Sequence, residues 1–240
     1  MYSEQKSLDW LELFSGGVPT GPFFLGYTLN GLEEIYLKQS DKLSGHLLNE
    51  LCLVGLISYF EAFCKDHFAS MINIEPSLLS NLSKNNQDIS IDPIKILDLG
   101  TNLPYNIGFI VTEKYDFGTA QKINSLYSAL LMISPFSKDE MRIYENLLKD
   151  RNLLVHHGGT YTSAYIIQNR NMLSSELKRP FFDSLVVSTS YLDEKFNFIR
   201  EIARKMLKAS HTSLTKYLVE NEIRLEEWRQ IALDSFLEES

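Results

Sequence analysis

Cysteine is scarce in this chain of 240 residues: Cys52 and Cys64 are the only two. They sit twelve residues apart in one apolar stretch, a separation of about 18 Å on a single helix, which no disulfide can bridge. The reading is therefore of reduced thiols in a cytoplasmic setting. Histidines are few and scattered (His46, His67, His156, His157 and His211), and no C-x-x-C is present, so no metal-ligand cluster and no cofactor is expected. A Gly-rich phosphate loop, a G-x-S-x-G elbow and an H-E-x-x-H helix are all missing, which removes P-loop, α/β-hydrolase and zinc-protease readings. The opening residues M-Y-S-E-Q-K-S-L-D-W carry no basic flank leading into an apolar run, so no secretory signal is expected. The longest apolar run, Leu51 to Ile57, is too short to span a bilayer, and no membrane role is expected. Neither an internal repeat nor a low-complexity tract is visible.

Net basic charge is also lacking. The formal charge is −8, unusual for a nucleic-acid binder. Its distribution is uneven. Residues 138–216 hold 13 Lys/Arg against 9 Asp/Glu, or +4. Residues 1–137 hold 8 against 15 (−7), and residues 217–240 hold 2 against 7 (−5). An enzyme that grips a polyanion transiently needs a local patch rather than a basic domain. Solvated helix faces are the better account of most of these charges taken singly.

What is present is a helical pattern. With 44% apolar and 22% charged residues the chain has ample material for a core. Leu43 to Ile72 is apolar around most of a helical circumference, the mark of a central helix. Glu50 and Glu61 interrupt it on one face. Residues 4–14 read as a short helix, 16–22 as a Gly/Pro loop, and Phe23 to Gln39 as a helix. Asn73 to Pro104 reads as a loop excursion, and Thr119 to Ile133 as a helix. Thr160–Gln168 and Phe181–Val187 are rich in β-formers and could pair as a small hairpin. Ser190 and Asp193 could cap a long helix reaching at least Lys208, and an acidic helix spans about Glu222 to Leu237. The expected class is all-α. Residues 1–42 form N-terminal helices and a loop, residues 43–216 the main helical domain, and residues 217–240 an acidic helix packed on it.

The most informative stretch is Ser137 to Gly159. Ser137 and Glu140 form an S-x-x-E capping box, Pro135 stops any earlier helix, and Gly158–Gly159 end this one. Met141, Tyr144, Leu148 and Val155 recur at helical spacing, with Arg151 where the stripe should continue. A guanidinium there is costly unless paired and cannot lose its proton. Asn152 and His156 are four apart and share one edge of the helix.

R-N-L-L-V-H, Arg151 through His156, resembles the R-polar-x-x-x-H signature of HEPN-domain ribonucleases, small all-helical proteins of bacterial toxin–antitoxin and antiviral systems. The Gly pair that follows and the surrounding helices, roughly Leu43 to Lys208, are similar to that superfamily as well. A second Arg/His spacing, Arg204 to His211, has Lys205 where the family prefers Asn, Asp or His and no Gly after it, and reads as a coincidence. The resemblance implies a HEPN-like helical bundle that cleaves RNA without metal. The 2′-OH beside the scissile phosphate is then the nucleophile, His156 the general base or acid, and Arg151 the group that neutralises charge on phosphorus. Asn152 would orient the phosphate or His156, with His157 a bystander or substrate contact. Glu61 has two readings, a partner for Lys65 at i,i+4 or an internal partner for Arg151.

Five residues on a helix are about 500°, so Arg151 and His156 point about 140° apart. The superfamily resolves this with two copies about a two-fold axis whose motifs line one cleft. A homodimer is therefore expected, with RNA as substrate and an antitoxin or other regulatory protein as partner. Some members carry a modifiable tyrosine two residues after the motif His; here that position is Gly158. The competing reading is a non-catalytic helical binding or dimerisation module. In it, Arg151 is a structural ion and the histidines only complement a helix dipole. A nucleotide-binding regulator is a third.

Overall fold

A helix that is apolar around most of its circumference must be surrounded, and the computed structural model, which describes residues 20–37, 42–169 and 179–238, surrounds this one. A π-helical segment, Pro22–Leu29, runs directly into helix α1 (Asn30–Leu37), and helix α2 (Lys42–Ile74) follows. Along α2, Leu53, Leu56, Ile57, Phe60, Cys64, Phe68, Met71 and Ile72 are fully buried. By length and composition, His46–Ile74 is the one helix among the described residues apolar enough to cross a membrane. Core helices of globular proteins pass the same test. Leu47, Leu51 and Tyr59 are the large apolar side chains it leaves exposed.

All regular structure among the described residues is helical, apart from one isolated bridge. The excursion expected over Asn73–Pro104 is mostly ordered into short helices: a 3₁₀ turn at Pro76–Leu78, α3 (Leu79–Lys84), α4 (Pro93–Leu99) and a second 3₁₀ turn at Gly100–Asn102. Local caps do this. The Glu75 carboxylate accepts from Ser77 N–H at 2.9 Å and Asp92 from Ile94 N–H at 2.9 Å, each with a proline in the first turn. Only Glu75 and 85–92 lack helix there.

Helix α5 (Leu103–Thr112) makes the most extensive contact with α2. Its Gly108 lies so close that its amide donates to Asn73 Oδ1 at 2.7 Å, and an added Cβ would collide with the Ala69 carbonyl. Helix α6 (Ala120–Leu131) is capped by Thr119 and closed by Met132 in the left-handed region. Helices α7 (Lys138–His157), α8 (Ser163–Gln168), α9 (Thr189–Glu220) and α10 (Glu227–Asp234) complete the chain, with a 3₁₀ turn at Ser235–Leu237. Ser188, not Ser190, caps α9, accepting from Tyr191 N–H at 3.2 Å. One core cluster joins Phe24 and Leu29 near the start, the inner faces of α2, α6, α7 and α9, and Ala232 and Phe236 near the end.

The β-hairpin expected between Thr160–Gln168 and Phe181–Val187 is corrected. Thr162 accepts from Tyr165 N–H at 3.1 Å and starts α8 instead. Pairing survives only as the Thr160–Ser184 bridge, flanked by Tyr161 N–H to Asp183 O and Leu185 N–H to Gly159 O, both 2.9 Å. The helix start reached Thr20, three residues earlier than expected. The helix expected at residues 4–14 and the glycines and proline of 16–19 lie outside the described residues.

His67 sits inside this core, stacked on Phe63 and edge-on to Phe236, with Nδ1 2.9 Å from Thr20 Oγ1 and Nε2 unpartnered. Complete burial pushes its imidazole down to about 3. In the unfolded chain a histidine titrates near 6.5. The unfolded state thus gains a proton first on acidification. The stability His67 confers is whole above pH 6.5 and declines as pH falls from there towards 3. Melting temperatures measured from pH 8 to 4 should fall on the acid side, and His67→Phe should flatten that fall.

Candidate functional site

Helix α7 is fixed at both ends by local chemistry. Ser137 Oγ accepts from Glu140 N–H at 3.3 Å, and Glu140 Oε2 accepts from Ser137 N–H at 2.6 Å, which completes the capping box. At the other end Gly158 adopts φ 55°. Its amide donates to Leu154 O at 3.1 Å, and that of Gly159 to Leu153 O at 3.2 Å. The last two turns therefore have a defined direction, and their side chains sort onto three faces.

The inward face carries Tyr144, Leu147, Asp150, Leu153 and Leu154. It is rotated from the stripe expected from sequence: Val155, counted inward, is half exposed. Asp150 takes the place that a hydrophobe would fill. Its two carboxylate oxygens accept from the Tyr165 hydroxyl of α8 and the Tyr191 hydroxyl of α9. Burial pushes the Asp150 carboxyl up, partly opposed by the two phenols and by Lys195 and Lys149. Both phenols are in turn pushed up by burial and by the carboxylate they serve. Lys195 lies over the Tyr191 ring at 4.6 Å. Leu153, Tyr161 and Tyr165 form a small separate cluster just beneath the helix end. Asp150 thus ties the motif-bearing turns to two other helices. Asp150→Asn, which removes the charge from both bonds, should lower stability by about 1–3 kcal/mol in a urea titration. Tyr165→Phe in the Asp150→Asn background should then cost less than in wild type.

Arg151 is on the border. Its stem is half buried, its Nε is buried without a partner, and its Nη1 donates to Asn152 Oδ1 at 3.0 Å. The Tyr144 hydroxyl, seven residues before it, is likewise buried without a partner. Burial is the main cause that pushes this phenol up, and Arg151 pulls it the other way. No carboxylate pairs with Arg151 among the described residues. Glu61, expected to pair with either Arg151 or Lys65, forms neither ion pair. It lines an open depression of about 460 Å³ with Ser58, Lys65, Tyr115 and Asp116. Glu61 and Arg151 both act electrostatically on the Tyr144 phenol, Glu61 pushing it up and Arg151 pulling it down.

The outer face carries Asn152, Val155, His156 and His157, all exposed. No hydrogen bond joins Arg151 to His156, in keeping with their divergence of about 140° on an α-helix. Asn152 narrows that gap. It lies about 40° from His156, one turn earlier, and holds the guanidinium at that edge. Of the residues singled out by sequence, Arg151, Asn152 and His156 are thus brought to one helix end. His157 lies beside them, and Glu61 is elsewhere. Asp150, Tyr165 and Tyr191 were not anticipated. In the second Arg/His spacing, Arg204 is bonded to Glu201 at 3.1 Å and His211 approaches Asp234 at 3.9 Å. Among the described residues no group of three or more potential metal ligands converges. No family model, no curated protein and no solved structure matches this chain.

Proposed function

We propose that this chain is a metal-independent endoribonuclease of the HEPN type, with Arg151 and His156 as catalytic residues and Asn152 as their link. One observation carries the reading: a guanidinium without a carboxylate partner among the described residues is bonded to Asn152 at the edge where an exposed imidazole stands. A structural arginine in a protein interior has an acid to neutralise it. This one has none among the described residues, and its bond to Asn152 lies at the solvent-exposed edge, where an anion could reach it.

In the proposed reaction the 2′-OH loses its proton to His156 and attacks the adjacent phosphorus. The bond to the 5′-oxygen of the next nucleotide breaks, and that oxygen takes up a proton. The products are a 2′,3′-cyclic phosphate and a 5′-hydroxyl. Arg151 offsets the charge that builds on the non-bridging oxygens. His157, exposed beside them, is a bystander or a contact to a neighbouring phosphate. Because the two catalytic groups diverge in one chain, the working form is a homodimer in which each copy completes the other's cleft. A cytoplasmic toxin or antiviral effector, silenced by an antitoxin or regulatory protein, is the role this activity fits.

The test is incubation of purified protein with RNA in excess EDTA. RNA should be cut to cyclic-phosphate ends and matched DNA left intact, and His156→Ala should abolish cutting. Equal degradation by wild type and His156→Ala would sink the proposal. The same divergence of Arg151 and His156 favours a second reading, a non-catalytic dimerisation module, which expects a dimer with no cleavage at all.

A further inference from the structure

The π-helical segment, α1 and the middle of α2 enclose an apolar groove that the reaction above does not use. Its larger part, about 640 Å³, is lined by Phe23, Tyr27, Leu32, Ile35 and Tyr59. A smaller depression of about 60 Å³ shares Phe23, Thr28 and Tyr59 with it and reaches Thr20. Tyr27, Ile35 and Tyr59 are 72%, 51% and 52% exposed. Scattered singly, such residues are ordinary; gathered in one concavity, they mark an interaction surface. The π-helix is a rare form that collects at functional positions. Here it brings Phe23 and Tyr27 into a stack, with ring centroids 5.4 Å apart, and both rings line the groove.

The occupant is indicated by where the described chain starts. Thr20, its first residue, stands at the rim of the groove, so residues 1–19 are tethered there at one end. Leu8, Trp10, Leu11, Leu13 and Phe14 are five large apolar residues in a stretch of seven. On the helix this sequence predicts, they fill about 220° of arc, and Asp9 and Glu12 share the remainder. Such a stripe is built to be covered. Only residues 15–19 separate it from Thr20, at most about 17 Å of chain, and Gly16 and Gly17 allow that chain to reverse. A tether this short supplies an effective concentration of about the mM range, so even a weak intrinsic affinity fills the groove.

We propose that residues 8–14 dock in cis into this groove, with Trp10 and Leu11 as anchors against Tyr27, Ile35 and Tyr59. The segment then acts as a strap across the π-helical segment, α1 and α2. Nothing in this depends on the nuclease reading. A second copy or another protein would have to displace a segment already held at the rim, and it would do so without the advantage of the tether.

The experiment uses the full chain and its own fluorescence. Trp10 and Trp228 are the two tryptophans, so Trp228→Phe leaves Trp10 as the sole reporter. Trp228 packs on Tyr105 with ring centroids 5.0 Å apart, a contact that phenylalanine retains. In this protein Trp10 emission should be blue-shifted from that of a free peptide of residues 1–19, and iodide should quench it at least about threefold less. Tyr27→Glu and Tyr59→Glu in the groove, and Leu11→Asp in the segment, should each return emission and quenching to the peptide's values. All three should keep the parent's circular dichroism, since both tyrosines are exposed and the core cluster begins at Phe24. Val219→Glu, at an exposed position near the end of α9, should change neither signal. Docking in cis is unimolecular, so the blue shift should not depend on protein concentration. Emission as red as the peptide's, a blue shift that survives both groove variants, or one that is lost on dilution because the groove is filled by a second copy would each overturn the proposal.

Discussion

Arg151→Ala should abolish RNA cleavage, by at least about 100-fold, while the protein melts within a few degrees of wild type. The first half follows from chemistry: removing a preorganised donor to a developing oxyanion costs about 10²–10³ in rate. The second half follows from the surroundings of Arg151. Breaking a buried ion pair costs about 3–5 kcal/mol because a charge is left alone. Here no acid is left behind among the described residues, where the one bond lost is that to Asn152, and the truncation also removes a buried Nε that has no acceptor there. The loss of the aliphatic stem offsets part of this gain. Activity and stability therefore separate, which the structural-ion reading forbids: it requires Arg151→Ala to unfold. Arg151→Lys should recover little, since an ammonium cannot reach the phosphate as a planar fork. Mixing Arg151→Ala with His156→Ala chains should restore partial activity, because a mixed dimer holds one intact Arg and one intact His across its cleft. Unfolding of Arg151→Ala, or undiminished cleavage by it, would refute this assignment.

How far the sequence discloses such a site depends on the range of the forces that build it. Helix α7 was legible to within a residue because its ends are written locally. Ser137 and Glu140 close one end within four residues, and Gly158 closes the other. The long helices α2 and α9 were legible from apolar content alone. Helix α5 was not. Its sequence L-P-Y-N-I-G-F-I-V-T carries a proline and a glycine, and both count against a helix interior. The proline falls in the first turn, where it costs nothing, and the glycine is required by the backbone of α2 rather than by α5 itself. The hairpin was misread because β-forming composition in Y-T-S-A-Y-I-I was outweighed by one threonine cap. Asp150 had no local signature. A carboxylate beside an arginine reads as a solvated pair, and the two tyrosines that bury it lie 15 and 41 residues downstream. The motif itself was visible as a spacing, but its orientation was not. That Val155 faces out and Asp150 in depends on neighbours no window of sequence contains.

The same distinction gives the largest stability effect expected in the molecule. Gly108→Ala should cost more than about 3 kcal/mol and leave little folded protein at 37 °C. An added methyl on Gly108 would fall on the Ala69 carbonyl oxygen, 2.8 Å from its carbon and 2.9 Å from Asn73 Oδ1. Overpacking in a core costs about 1–3 kcal/mol where side chains can shift. Here two of the three obstructing atoms are backbone of α2, so relief requires α5 to lift away. Lifting would break the 2.7 Å bond from Gly108 N–H to Asn73 Oδ1 and leave that buried amide oxygen unsatisfied. Gly31→Ala provides the contrast. It lies in helix α1 with nothing within 4 Å of the added Cβ, and should stabilise by about 0.5–1 kcal/mol. Denaturant midpoints for the two variants should therefore move in opposite directions. Because Tyr144 of α7 meets α2 at Phe60, some turns before Ala69, Gly108→Ala should reduce cleavage only in proportion to the folded fraction, whereas Arg151→Ala reduces it in a fully folded protein. A Gly108→Ala chain as stable as wild type would mean that α5 does not approach α2 this closely.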